Sequence, residues 1–140
     1  MRPVIVAASR AVGPAAFPAA FPAAVFVVLH IPARSIGILA TVSQAASQMI
    51  VSPAEDGMEI VPGHIYLGVP DRHLLIADGR IRLGRGPREN MARPAIDPLF
   101  RSAAVAYGPR VVGVLLSGLL NDGASGLSAI KRCGGLALVQ

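Results

Sequence analysis

The stretch Val111 to Leu127, VVGVLLSGLLNDGASGL, constrains the fold of this chain more than any other. It opens as an apolar, β-branched run, the pattern of a strand buried on both faces. It turns at Ser117-Gly118, passes two leucines and reaches Asn121-Asp122-Gly123. A helical pattern follows and ends near Gly134-Gly135. A strand that ends in a glycine-bearing turn and feeds a helix is where open α/β sheets place their working residues. Asp122 falls on that turn. An acid there serves a helix N-terminus, a ligand or a catalytic partner, and the stretch alone leaves the three open.

The other segments fit the same plan. Pro3 to Ala8 and Ala24 to Leu29 read as buried strands, the first ending at Ser9 and the second at His30. Ser35 is placed to cap a helix over Ile36 to Ser47. Met49 to Ser52 and His64 to Val69 read as short strands. His73 to Ala77 and Arg80 to Leu83 flank Asp78-Gly79, a two-residue hairpin signal. Arg82 to Arg93 is polar and loop-like, with Arg85, Arg88 and Arg93 expected at the surface. Asp97-Pro98 opens a helix that ends near Gly108, and Leu136 to Val139 is a last strand. Pro14, Pro18 and Pro22 interrupt the segment Pro14 to Ala24. Proline inside a helix costs about 3 kcal/mol, so a continuous helix is not expected there.

Three strands thus end in chemically capable residues: Ser9, His30 and Asp122. In a parallel doubly wound sheet all carboxyl ends lie on one edge, so these side chains can converge despite their separation in sequence. Together they are the nucleophile, base and orienting acid of acyl-transfer hydrolases. Each also has a structural reading: Ser9 as a helix cap, His30 as a hydrogen-bonded strand-end residue, Asp122 as a turn residue. His64, after Pro62-Gly63, and His73, opening a hairpin strand, compete for the base and read better as structural.

Composition narrows the class. The 140 residues suit one domain, 53% hydrophobic but only 4% aromatic, so the core is built from Ala, Val, Leu and Ile. A single cysteine, Cys133, excludes an internal disulfide and any cysteine metal cluster, and reads as a core thiol in a cytoplasmic protein. The 13 basic residues, all but one of them Arg, exceed the 8 acidic ones for a net charge of +5. That excess raises a nucleic-acid-binding reading. It finds no GxGxxG or Walker pattern and few aromatics for base stacking. No apolar run is long and clean enough to span a membrane.

The sequence resembles the catalytic domain of the chemotaxis protein-glutamate methylesterases, the CheB type, over almost all of its length. The matching pieces are VIVAAS at Val4 to Ser9, VVLHIP at Val27 to Pro32, AEDGMEIVPGHIYLGVPDRH at Ala54 to His73, RPAIDPLF at Arg93 to Phe100 and GVLLSGLLNDGASGLSAIKRCGG at Gly113 to Gly135. The resemblance implies a doubly wound, three-layer αβα fold of class α/β, with a mainly parallel sheet and an antiparallel hairpin. It implies hydrolysis of glutamyl methyl esters on methyl-accepting chemoreceptors, with release of methanol and with deamidation of receptor glutamines as a related activity. It assigns Ser9 as nucleophile, His30 as base and Asp122 as orienting acid. No metal or organic cofactor is called for, and neither nucleic acid nor membrane insertion enters. The expectation is a single catalytic domain over 1–140, short at its C-terminus and without an attached receiver domain, so that control in two-component signalling would fall to a separate receiver protein.

Several positions depart from the family pattern. Arg10, Ala11 and Val12 follow Ser9 where the family carries a small residue and two glycines, and Arg10 is placed to obstruct the site or to bind a substrate carboxylate. Leu120 replaces a glycine in the Asp122 turn, beside Leu119, whose backbone N–H is the expected oxyanion donor. Losing one such donor costs about 10²–10³ in rate. These departures motivate an alternative reading, a catalytically degenerate receptor-binding module of the same fold.

Overall fold

In the computed structural model, the described residues are 4–8 (backbone only), 21–30, 33–116 and 122–139. Strands β1 (Val4–Ala8), β2 (Ala24–Val28), β3 (Ile50–Pro53), β4 (His64–Leu67), β7 (Val111–Leu115) and β8 (Leu136–Val139) form one sheet in the order β3-β4-β2-β1-β7-β8. Every pairing in it is parallel. Strands β5 (His73–Ala77) and β6 (Arg80–Gly84) form a separate antiparallel hairpin. Its turn residues Asp78 and Gly79 have φ of 54° and 69°, the left-handed pair a two-residue hairpin requires.

β2 shows why the run AVFVV becomes a central strand. All five residues are buried, and they alternate between two cores. Val25 and Val27 face a core with Met49, Val51, Ile65 and Leu67, closed by helix α1 (Ile36–Ala46) through Ile36, Leu39 and Ala40. Ala24, Phe26 and Val28 face the other core, which holds Tyr66, the hairpin residues Leu74, Ile76 and Ile81, and the buried faces of α2 (Ile96–Tyr107) and α3 (Ala124–Arg132). Helices on both faces of a parallel sheet make the doubly wound, three-layer arrangement expected from the sequence. Phe100 is fully buried in the second core. Truncating such a side chain to Ala costs about 3–5 kcal/mol.

From β1 the strand order runs outward through β2 to one side and through β7 to the other. A sheet whose order reverses in this way opens a crevice at the carboxyl ends of the strands beside the reversal. The register sets Ala8 level with Val28 and Leu115, so β1, β2 and β7 end together. Ser9, His30 and the Asp122 turn are the sequence positions that follow these ends.

Some local expectations are corrected. Ser35 makes no capping hydrogen bond; it sits in a short 3-10 turn, Ala33–Ser35, that leads into α1. Arg93 is not a surface side chain. Only 21% of it is exposed, because its guanidinium donates to Asp71 and to the Gly86 carbonyl. Cys133 lies just past the last residue of α3, partly buried against the second core. The proline-rich segment lies outside the described residues up to position 20.

Candidate active site

Asp122 is completely buried, and its carboxylate accepts four hydrogen bonds from three parts of the chain. Oδ2 accepts from His30 Nε2 at 3.2 Å and from the Ile96 N–H at 2.7 Å. Oδ1 accepts from the Asp97 N–H at 3.1 Å and from Asn90 Nδ2 at 3.0 Å. His30 reaches it across 92 residues of sequence, with its own side chain 29% exposed. A fully buried anion with an imidazole on one side and solvent beyond it is the arrangement a carboxylate needs to hold a His tautomer. Because Asp122 meets Nε2, the proton belongs on Nε2 and the lone pair on Nδ1.

The backbone explains why the acid sits here. Helix α2 begins after Ala95, whose side chain cannot cap it, so the first N–H groups lack a local acceptor. Asp122 supplies both acceptors from across the fold. Helix α3 begins after Gly123, at φ 105°, a conformation that favours glycine, and glycine also offers no cap. Asp97 fills that role: its Oδ1 accepts from the Gly123 N–H at 3.1 Å and the Gly126 N–H at 2.6 Å. Each aspartate therefore caps the helix that the other belongs to or precedes. Gly126 permits the approach, since a Cβ there would collide with Phe100. Two buried carboxyl groups thus lie at the positive ends of two helices.

Asn90 joins the two. Its Nδ2 donates to Asp97 Oδ2 at 2.7 Å and to Asp122 Oδ1 at 3.0 Å. The orientation of this amide follows from its partners, because the opposite flip would set its oxygen against two carboxylates. Neither Asn90 nor the second role of Asp97 was legible as part of a site. Asn90 lay in a polar loop, and Asp97 read only as the acid of its own helix start.

The competing histidines are accounted for. His73 is buried, with Nε2 2.7 Å from the Pro87 carbonyl oxygen and Nδ1 accepting from the Ala95 N–H at 3.3 Å. It pins the hairpin to the segment before α2. His64 stacks on Tyr66. Beside the site, Asp71 accepts from Arg93, and that hydrogen bond, aided by the charges of Arg93, Arg88 and Arg85, holds its carboxyl below the usual carboxylate range. A cavity of about 750 Å³ opens between the hairpin and α2, lined by Leu75, Arg101, Val105 and Tyr107 among others; neither His30 nor Asp122 lines it. Among the described residues no cluster of three or more His, Cys, Asp or Glu could hold a metal ion. Nor is any described helix long and apolar enough to cross a membrane. Ser9, Arg10, Leu119 and Leu120 lie outside the described residues.

A parallel doubly wound sheet with helices on both faces and a His–Asp pair beyond its strand ends defines a three-layer α/β domain. The family model described as CheB methylesterase matches residues 8–140. A protein-glutamate methylesterase/protein-glutamine glutaminase of Yersinia pestis is 39% identical over 121 residues, covering 84% of this chain and 35% of that protein. One named protein-glutamate methylesterase/protein-glutamine glutaminase 1, of Xanthomonas campestris, is 42% identical over 121 residues, covering 84% of this chain and 34% of its own length. The chain thus spans about a third of the length of these two curated relatives. The crystal structure of the Thermotoga maritima CheB methylesterase catalytic domain superposes with a TM-score of 0.87 at 31% identity, covering 97% of this chain and 77% of that one. This chain belongs to the CheB methylesterase family.

Proposed function

We propose that this chain is the catalytic domain of a protein-glutamate methylesterase acting on cytoplasmic chemoreceptor segments, with Ser9, His30 and Asp122 as nucleophile, base and orienting acid. The observation that carries the reading is the His30–Asp122 hydrogen bond: His30 follows β2 and Asp122 follows β7 in sequence, two strands that end level with β1, which Ser9 follows in sequence. In this mechanism the Ser9 hydroxyl attacks the ester carbonyl carbon as its proton passes to His30. The tetrahedral intermediate collapses, the C–OCH₃ bond breaks, and His30 protonates the leaving oxygen to give methanol. Water then attacks the glutamyl-Ser9 ester, again giving its proton to His30. Collapse frees Ser9 and leaves a glutamate carboxylate. A glutamine side chain would follow the same course with ammonia as the leaving group. Throughout, Asp122 stabilises the imidazolium that forms.

The Leu119 N–H is the proposed oxyanion donor, and Arg10 the proposed contact to a carboxylate of the acidic product or substrate. The replacement of glycines by Ala11, Val12 and Leu120 supports one second reading, a receptor-binding module that turns over poorly. One assay separates the two. Methanol release from a methylated receptor is measured for the parent and for Ser9→Ala. The esterase reading expects release by the parent and none by the variant. Equal release by both overturns Ser9 as nucleophile, and receptor capture without release by either favours the binding module.

A further inference from the structure

Asp122 orients His30, but a carboxylate held only by two adjacent N–H groups of one helix can still rock about its Cβ–Cγ bond. The third direction comes from Asn90. We propose that Asn90 is a positioning residue for the reaction: its amide locks the Asp122 carboxylate so that Oδ2 is presented to His30. The inference rests on the assignment of His30 and Asp122 to the catalytic site.

Three observations bear on it. First, Asn90 spends both amide hydrogens on carboxylates, Asp97 Oδ2 and Asp122 Oδ1, and so separates two buried anions that would otherwise face one another without a donor between them. Second, those bonds close a ring. Asp122 caps α2, Asp97 on α2 caps α3, α3 starts just after Asp122, and Asn90 bridges the two acids. A shift of Asp122 therefore moves two helix starts together, which makes the position of the acid stiff. Third, Asn90 is itself anchored. It sits at φ 52° beside Met91 at φ 63°, in a turn closed by reciprocal backbone bonds between Glu89 and Ala92. Glu89 is tied to α2 by Arg101 at 2.6 Å.

The turn alone does not account for the residue. A left-handed backbone is met at least as well by glycine. Aspartate also tolerates that conformation but would place a third carboxylate against two. Among turn-forming residues, asparagine is the one that offers two side-chain N–H donors.

The test uses Asn90→Gly, which keeps the turn and deletes the amide. Its kcat for methanol release is expected to fall about 10–100-fold, the scale of a misplaced catalytic group, with KM within about twofold of the parent. In the substrate-free protein, the His30 Nε2–H resonance is expected to shift or broaden. A kcat within about twofold of the parent overturns the proposal, and so does an unchanged His30 resonance, whatever the rate. Should the variant not fold, the parent still decides. Its Asn90 side-chain amide protons are expected to be protected from solvent exchange, and rapid exchange overturns the proposal. The two NMR readouts need no substrate. Absence of methanol release by the parent would therefore fail the esterase assignment alone and leave the positioning role to be judged on its own.

Discussion

At the residue scale, Asp122 carries two jobs that usually belong to different side chains. It holds an imidazole and it caps a helix. The two jobs share Oδ2, which accepts from both His30 and the Ile96 N–H, and an isosteric change varies the charge without the shape. Asp122→Asn keeps the volume but leaves one oxygen and one NH₂ group. If the oxygen stays in the Oδ1 place, on the Asp97 N–H and Asn90, the NH₂ takes the Oδ2 place against His30 and the Ile96 N–H, and the ring must turn its lone pair to Nε2. In the proposed mechanism His30 would then present the wrong tautomer to Ser9. The expected outcome is a fall in kcat of about 10⁴-fold with KM little changed, measured by steady-state methanol release. A loss confined to KM would place Asp122 in substrate binding instead. The sequence offered capping and a catalytic partnership for Asp122 as alternatives; in the fold two of its hydrogen bonds cap α2, one meets His30 and one comes from Asn90.

At the element scale, α2 and α3 depend on acceptors that neither supplies for itself. Ala95 and Gly123 stand where Ser, Thr, Asp or Asn would ordinarily cap. Asp97→Ala removes the acceptor of the Gly123 and Gly126 N–H groups, both buried. It also strips Asn90 of one partner. A lost cap costs about 0.5–2 kcal/mol, and unsatisfied buried donors push the loss to the upper part of that range. Urea unfolding of Asp97→Ala is expected to show a lower midpoint at unchanged slope. Amides at the start of α3 should exchange faster than those of α1. Uniform loss of protection across all helices would argue against local capping. These elements were legible in outline. The buried apolar run of β2, the Asp78-Gly79 turn and the acid-proline start of α2 each follow from local stereochemistry. Cross-capping was not, because no local pattern marks an aspartate that caps a helix other than its own. Nor does any marks the absence of a cap at Ser35, where a 3-10 turn takes up the start of α1.

At the scale of the whole molecule, three strand ends were brought to one edge by pattern alone. A parallel sheet admits only that arrangement once its strands are recognised, so the pattern alone brings His30 and Asp122 to one edge across 92 residues. The basic excess has a comparable reach. The net charge of +5 is distributed unevenly, and Arg85 and Arg88 are exposed on the loop that also carries Asn90. Arg93 is committed to Asp71 and Gly86 and adds little to that outward field, while Arg88 shares Asp71 more loosely, at 3.8 Å. An acidic substrate approaching the His30–Asp122 edge would therefore meet a positive rim on its way in. Long-range attraction of this kind acts on encounter and affinity, is screened over about 8–10 Å at 0.1–0.15 M salt, and leaves the chemical step alone. Raising the ionic strength is expected to raise KM for a methylated receptor several-fold without lowering kcat. Arg85→Glu with Arg88→Glu should reproduce that rise at low salt and flatten the remaining salt dependence. The comparison is made in one assay of initial rates against salt for both proteins. Parallel salt curves for the parent and the double variant would mean that the loop does not guide the substrate and that the charge acts elsewhere on the surface.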